Sequence, residues 1–204
     1  MARTHLIGYP RIGRNRELKL ALDRFWSGAA AASDLIETAR SLRAMHWSRQ
    51  EAAGLDILTA GDFSYYDHML DMSVLLGSIP ERFGFDAHAL TLPQYFALAR
   101  GEERHPPLEM TKWFDTNYHY LVPELGAGAR FADGNEACFN AVAECRARAR
   151  PFKVALVGPV TYLSLAKSID SAFDRLELLA PLGRAYARIL ERLGALGVEW
   201  VQLD

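Results

Sequence analysis

One short stretch of the chain, GYPRIGRNRELKLAL, concentrates positive charge. It holds four cations and a single acid, Glu17, within nine positions: Arg11, Arg14, Arg16 and Lys19. The stretch follows a short apolar run and leads into a helical pattern, so the cations fall on a loop and a first helical turn. Cations at a helix N-terminus are unfavourable unless an anion compensates, which suits a carboxylate or phosphate ligand. Charge spacing alone also permits a solvated basic face.

Polar residues after the second predicted strand, in GDFSYYDHML, have the types needed for a general acid and base. Asp62, Asp67 and His68 belong to this group, and His119 invites the same interpretation farther along the chain. A capping carboxylate followed by a helical histidine explains the first group better. We therefore favour capping and turn roles over an acid–base pair for these residues.

Metal-binding patterns are missing from the sequence. Cys138 and Cys145 lie seven positions apart in a helical pattern, about two turns from each other, which is too far for a disulfide within one helix. The chain has no CxxC motif and no pair of histidines at metal-ligand spacing. We predict buried thiols and no metal site.

Four aromatic residues follow or belong to the third predicted strand. Trp113, Phe114, Tyr118 and Tyr120 could form a stacking wall for a planar ligand, but interior packing is the better interpretation.

Composition narrows the class of protein. The 204 residues are 50% hydrophobic and 24% charged with a net charge of −2, which fits a globular protein with a real core. A near-neutral balance argues against nucleic acid as a partner. The N-terminus lacks the apolar region of a signal peptide, and Gly158 and Pro159 interrupt the longest apolar run. We expect a cytoplasmic protein that does not bind a membrane.

The chain alternates apolar strands with helical patterns, which predicts an α/β fold. The predicted strands span 6–9, 55–60, 110–116, 152–157 and 198–203. The predicted helices cover 16–26, a long segment capped by Ser33, a segment begun by Asp62 or Ser64, one begun by Thr91, 135–150 and 176–193. Crossover connections allow either a doubly wound sheet or part of a (β/α)8 barrel. No GxGxxG motif follows the first strand, which argues against a doubly wound sheet that binds a dinucleotide.

The end of the chain affects the prediction of assembly. A (β/α)8 barrel has eight strands and typically about 250 residues, whereas this sequence ends on its fifth predicted strand. We expect a truncated barrel whose last strand leaves an open edge. Such a chain is expected to self-associate through that edge or to be marginally stable.

Several segments, taken in order, resemble the N-terminal barrel of the cobalamin-independent methionine synthases. They are GYPRIGRNRELKLALDRFWSG, GLDILTAGDFSYYDHML, EMTKWFDTNYHYLVPE, LVGPVTYLSLAK, and FDRLELLAPL followed by GVEWVQLD. The resemblance implies a partial (β/α)8 TIM-type barrel with five parallel strands and crossover helices. It also implies that residues 1–204 are the start of the first of two barrels, without the catalytic C-terminal barrel.

The family transfers a methyl group from 5-methyltetrahydropteroyl-polyglutamate to homocysteine, giving methionine. The resemblance implies that folate-tail binding falls to the segment Arg16, Glu17, Leu18, Lys19 and to Lys112. A polyglutamate tail is a flexible string of carboxylates that cations can hold by charge. The family uses zinc, whose ligands belong to the C-terminal barrel, and no cobalamin. This chain alone is therefore expected to be inactive.

Two alternatives stay open on the sequence. One is a stand-alone folate-binding or regulatory barrel that keeps the fold without the chemistry. The other is a decarboxylase-like barrel enzyme that acts on an anionic tetrapyrrole.

Overall fold

A computed structural model of the chain describes residues 2–132, 134–170 and 173–204. Within these residues the helices are α1 (Glu17–Trp26), α2 (Ala32–Ala52), α3 (His68–Leu75), α4 (Leu92–Arg100), α5 (Ala137–Arg146), α6 (Pro159–Leu165) and α7 (Leu179–Ala195). The strands are β1 (Leu58–Ala60), β2 (Met110–Lys112), β3 (His119–Leu121), β4 (Glu124–Leu125), β5 (Phe152–Leu156), β6 (Lys167–Ser168) and β7 (Trp200–Leu203). Two short 3-10 helices cover Glu81–Phe83 and Arg175–Leu178. No helix among the described residues is long and apolar enough to cross a membrane.

The chain divides into two compact units. The first consists of Met1–Tyr65, Phe139–Ala155 and Leu196–Gln202, and the second of Tyr66–Cys138, Leu156–Ala195 and Leu203–Asp204. A sheet of order β1-β5-β7 has most of its residues in the first unit, and its strands β1 and β5 run parallel. Three residues of β1 and all five of β5 are buried, as expected for strands that helices cover on both faces.

The predicted strand at 6–9 is not a strand in the structure. The outer edge of β1 is already occupied, because Trp47 Nε1 donates to the Thr59 carbonyl and the Thr59 N–H donates to Gln50, both at 2.9 Å. The segment instead lies extended, and the Thr59 hydroxyl donates to the Leu6 carbonyl at 2.9 Å. Two side chains of α2 thus take the backbone groups that a neighbouring strand would need.

The third predicted strand, 110–116, was expected to join a parallel sheet, and that expectation is wrong. Only Met110–Lys112 forms a strand, and it pairs antiparallel with β3 in the second unit. The connection is a tight turn in which the Trp113 N–H donates to the Tyr118 carbonyl at 2.7 Å. So short a connection permits only an antiparallel hairpin.

Helix beginnings were predicted with mixed success. Thr91 caps α4 as expected, and its hydroxyl accepts from the Gln94 N–H. The long helix α2 begins at Ala32, so the predicted cap Ser33 already lies inside it. Asp34 supplies the local contact instead, since its carboxylate accepts the Ala31 N–H at 3.0 Å.

Two further helix starts differ from the prediction. α3 begins after Asp67, whose carboxylate accepts from Met69 N–H at 2.8 Å, rather than at Asp62 or Ser64. The GPVT segment, where no helix is predicted, is the start of α6, with Pro159 in its first turn. Proline suits this position because the first N–H of a helix has no intrahelical acceptor.

The second unit continues to the end of the chain. The predicted helix at 176–193 is a 3-10 turn followed by α7, whose apolar stripe is buried: Leu182, Ala185, Tyr186, Ile189 and Leu193. Asp204 donates its N–H to Leu156 O and accepts from the N–H of Gly158. This alternation is the pattern of parallel strands.

Candidate functional site

The basic stretch folds as predicted into a loop and the first turn of α1. Arg16 is the N-cap residue and has a left-handed φ of 63°. Its N–H donates to the Gly13 carbonyl at 3.3 Å, and the Leu18 N–H donates to Ile12 O at 3.1 Å. These contacts wrap the loop tightly around the N-terminus of the helix.

Glu17 is a partner within this loop. Its carboxylate accepts the Asn15 N–H at 2.9 Å and the Asn15 side-chain amide at 3.1 Å. Its own N–H and then those of Asn15 lower the pKa of the Glu17 carboxyl. The single acid of the basic stretch therefore holds the loop through Asn15.

The four cations of the stretch have different surroundings. Arg11 is half-buried and donates to the carbonyls of Ser64 and Tyr65 at 3.3 and 3.0 Å. Arg14 and Arg16 are exposed. Lys19 is exposed as well.

Lys19 also has a partner on its own helix. Its ammonium lies 2.6 Å from Asp23 in an i,i+4 pair with both side chains about half exposed. Exposed pairs of this kind contribute little to stability.

Leu18 has a different environment from its neighbours in the Arg16–Lys19 segment. Its side chain is fully buried and belongs to the apolar stripe of α1 together with Leu22. α1 packs on α2 through this stripe. Leu18 thus fixes the helix while Arg16 and Lys19 face solvent.

A buried aromatic group lies behind the basic loop. His46 of α2 stacks on Tyr9 with ring centroids 4.3 Å apart, and Arg49 donates to the Tyr9 hydroxyl at 3.2 Å. Burial first, and then the Arg49 charge, lower the pKa of His46 to about 4, against an opposing effect of Glu17. The imidazole is therefore neutral at physiological pH.

Because His46 is buried, we expect the stability of the first unit to fall in acid. The unfolded chain takes up a proton on His46 near pH 6.5, whereas the folded chain does so only near pH 4. The contribution to the free energy of unfolding is thus present above pH 6.5 and is lost as the pH falls toward 4. We expect His46→Phe, which keeps an aromatic ring beside Tyr9, to lose less stability than the unmodified chain over this range. Denaturant unfolding at several pH values measures the difference, and parallel profiles would contradict it.

Lys112 lies in the second unit, at the end of β2 in the hairpin with β3. It is exposed and faces His119 across the ladder. The connecting turn carries the aromatic cluster, in which Trp113 packs edge-on against its neighbours: Phe114 at 5.7 Å, Tyr118 at 6.2 Å and Tyr120 at 5.6 Å between ring centroids.

The predicted interior packing of these aromatics is confirmed only for Tyr120. Its ring is buried and its hydroxyl donates to the Leu165 carbonyl at 2.8 Å. Phe114 and Tyr118 are 64% and 42% exposed, because they lie at the tip of the hairpin and not at its base. For these two residues the prediction is wrong.

Asp67 caps α3, which agrees with the capping carboxylate predicted for GDFSYYDHML and not with an acid–base pair. Its buried carboxylate accepts three backbone N–H groups, from Met69, Leu70 and Leu121, at 2.8, 3.3 and 3.2 Å. Burial raises the pKa of Asp67 to about 7, Asp71 adds to the rise, and the N–H groups oppose it. The bond to Leu121 joins residues 54 apart, and no local pattern in the sequence points to it.

Asp62 serves the basic loop rather than an acid–base pair. Its carboxylate accepts the Tyr9 N–H at 2.7 Å. Together with the contacts of Arg11, it ties the segment before α1 to the loop after β1.

A metal site is not formed by the residues that the structure describes. Across 2–132, 134–170 and 173–204, no three His, Cys, Asp or Glu side chains cluster so as to hold an ion. Cys138 and Cys145 are both free thiols, but only Cys145 is buried as predicted, since Cys138 is half-buried. Burial raises the pKa of each to about 12, which disfavours the thiolate that binds zinc.

The fold itself defines an α/β protein with parallel strands between helices. A solved structure supports this class: a B12-independent methionine synthase from Shewanella sp. W3-18-1, in complex with selenomethionine. The similarity has a TM-score of 0.59 at 18% identity and covers 86% of this chain and 44% of that chain.

The sequence comparison narrows this class to one family. The profile described as "Cobalamin-independent synthase, N-terminal domain" matches residues 3–204, and the chain belongs to that family. Relatives named 5-methyltetrahydropteroyltriglutamate–homocysteine methyltransferase are 55% identical in Paraburkholderia phytofirmans and 54% identical in Paraburkholderia xenovorans. Each match covers 100% of this chain and 27% of the relative. The chain thus spans about a quarter of the length of these relatives.

Proposed function

We propose that this chain is the folate-tail-binding part of a methyltransferase that moves a methyl group from 5-methyltetrahydropteroyl-polyglutamate to homocysteine, giving methionine. The observation that carries the proposal is the 55% identity over the whole chain to a relative with that named activity. Residues 1–204 would then be the N-terminal part of the first of two barrels, with a partial (β/α)8 architecture. The parallel pairing of β1 with β5 is consistent with such a barrel.

The proposed role of the basic loop follows from its geometry. Arg16 and Lys19 are exposed at the N-terminus of α1, while Glu17 and Leu18 fix the loop and the helix beneath them. The helix terminus adds a partial positive charge. Carboxylates along a flexible tail meet several cations there without a single rigid pose, and arginine can bind a carboxylate through two hydrogen bonds.

Lys112 is proposed as a separate cationic contact for the tail. It stands exposed on the hairpin of the second unit. A solvated lysine at a strand end is the other interpretation, since lysine is mostly exposed in proteins. The two interpretations differ in whether ligand affinity depends on the length of the glutamate tail.

Charge reversal tests each contact. We expect Lys19→Glu and Lys112→Glu, made separately, to weaken 5-methyltetrahydropteroyl-triglutamate several-fold more than the monoglutamate, because the removed cation faces carboxylates that only the longer tail carries. An exposed ionic contact contributes about 0.2 to 1 kcal/mol, and reversal adds repulsion to the loss. Calorimetric titration at low and moderate salt measures the affinity for the triglutamate relative to that for the monoglutamate. This affinity ratio should fall as salt screens the ionic contact.

A matched control separates a specific contact from net charge. Arg24 is exposed at the far end of α1, so Arg24→Glu changes the charge of the chain equally without altering the proposed contact. Equal weakening of both folates by the lysine variants would return these residues to the solvated-surface interpretation. Binding of an anionic tetrapyrrole in preference to the folates would favour the decarboxylase-like alternative.

Zinc is not assigned to this chain. The family resemblance places the metal in the C-terminal barrel, and the described residues here, with the pKa of both cysteine thiols raised, do not fit it. The family itself is cobalamin-independent, so no corrin cofactor is involved.

A further inference from the structure

Asp67 joins two elements of the second unit. One carboxylate oxygen accepts from the Met69 N–H in the first turn of α3, and the other accepts from both Leu70 and Leu121. Helix capping explains the first two contacts. Leu121 lies in β3, so its contact with Asp67 has no part in capping.

The register of the hairpin explains why the Leu121 N–H is available. The Val122 N–H donates to Glu109 O, and the Trp113 N–H donates to Tyr118 O. Hydrogen-bonded and non-bonded pairs alternate in an antiparallel ladder, and Leu121 faces Met110 in the alternate position. Its N–H therefore points away from β2, and Asp67 supplies the acceptor that a further strand would otherwise supply.

The same hairpin carries Lys112. Its base is fixed at two points of β3, by Asp67 at Leu121 and by the Tyr120 hydroxyl at the Leu165 carbonyl. The residues from Lys112 to His119 are mostly exposed and extend beyond these two points. The position of the lysine ammonium thus depends on how the base of the hairpin is held.

We propose that Asp67 is a positioning residue for folate-tail binding: its buried carboxylate fixes the β2–β3 hairpin against α3 and so sets where Lys112 meets the tail. This inference rests on the proposed function. It assigns to Asp67 a role through Lys112 and no contact with the ligand.

One variant removes the link to the hairpin while keeping a helix cap. Asp67→Ser retains a preferred capping oxygen but is too short and has too few oxygens to reach Leu121 as well. Hydrogen exchange at the Leu121 amide reports the link directly, and we expect protection there to fall in this variant.

Binding then tests the role. We expect Asp67→Ser to weaken the triglutamate folate about two- to fivefold relative to the monoglutamate, matching the loss of one exposed ionic contact. In a chain that already carries Lys112→Ala, Asp67→Ser should produce no further change in this ratio, because the two substitutions remove the same contact. Thr91→Ala, which removes the cap of α4, is the control for lost stability and should leave the ratio unchanged.

The outcomes separate this inference from the proposed function. If the unmodified chain does not distinguish the two folates, or Lys112→Ala leaves the ratio unchanged, the proposed tail contact fails and Asp67 loses its role with it. If Lys112→Ala reduces the ratio and Asp67→Ser does not, the tail contact stands and the positioning role is overturned. An additive effect of the double substitution would also overturn it. Variants that lower stability without changing the ratio would leave Asp67 as a helix cap only.

Discussion

Gly61→Ala is expected to destabilise the chain by about 2–5 kcal/mol, through backbone strain and a clash together. Gly61 follows β1 directly and has a φ of +79°. A Cβ there would lie 2.6 Å from the Ala155 carbonyl oxygen and 3.0 Å from Val154 Cγ1. Both neighbours belong to the buried strand β5, so neither can move without disturbing the β1–β5 pairing. Denaturant unfolding of Gly61→Ala and of the unmodified chain measures the loss of free energy of unfolding.

Gly54→Ala provides the matched control in the same unit. Gly54 has a φ of +76°, and a Cβ at this position would meet nothing within 4 Å. It therefore isolates the left-handed conformation, which costs about 1–2 kcal/mol for a residue with a side chain. The excess loss at Gly61 is the part caused by close approach of β5. Equal losses at the two positions would show that β5 yields and that the approach does not matter.

Helices α4 and α7 could be predicted from sequence because their signals are local, whereas α6 was not predicted. Thr91 followed by a proline marks the start of α4, and the apolar spacing from 182 to 193 marks the buried face of α7. The basic loop at the start of α1 was likewise visible from charge and period alone. What that pattern does not reveal is that Glu17 turns back on Asn15 and that Arg11 is tied to carbonyls.

The parts that sequence did not predict depend on contacts between distant residues. The extended segment at 6–9 has the composition of a strand, but Trp47 and Gln50 occupy the edge of β1 that it would need. Nothing within the segment shows this. The hairpin carrying Lys112 was predicted as a single strand because its turn lacks the Asn-Gly or Asp-Gly signal of a two-residue connection.

The candidate site shows the same division. A family resemblance points to the cations, whereas the contacts of Asp62 and Asp67 with distant backbone groups were not predicted. Asp62, Glu17 and Asp67 each accept backbone N–H groups, and two of these contacts join residues more than 50 positions apart. A carboxylate with such a role is indistinguishable in sequence from an acid–base candidate, since both uses require the same side chain near the end of a strand.

Leu18→Ala is expected to lower the free energy of unfolding by about 2–5 kcal/mol, the range for truncating a buried leucine. The side chain is 0% exposed and belongs to the face of α1 that packs on α2. The matched control is Leu20→Ala two positions on, because Leu20 is 57% exposed. That variant should change stability by no more than about 0.5 kcal/mol. Thermal and denaturant unfolding of both variants provide the comparison.

The Leu18 variant also tests how the Arg16–Lys19 segment works. If Leu18 only anchors α1, the folded fraction of Leu18→Ala should bind triglutamate and monoglutamate folates in the same ratio as the unmodified chain, while Lys19→Glu changes that ratio at little cost in stability. Binding measured well below the unfolding midpoint separates the two effects. A changed ratio in Leu18→Ala with an intact fold would mean that the leucine positions the cations as well as the helix. The segment would then act on the tail as one unit, and the division between a buried anchor and exposed cations would have to be abandoned.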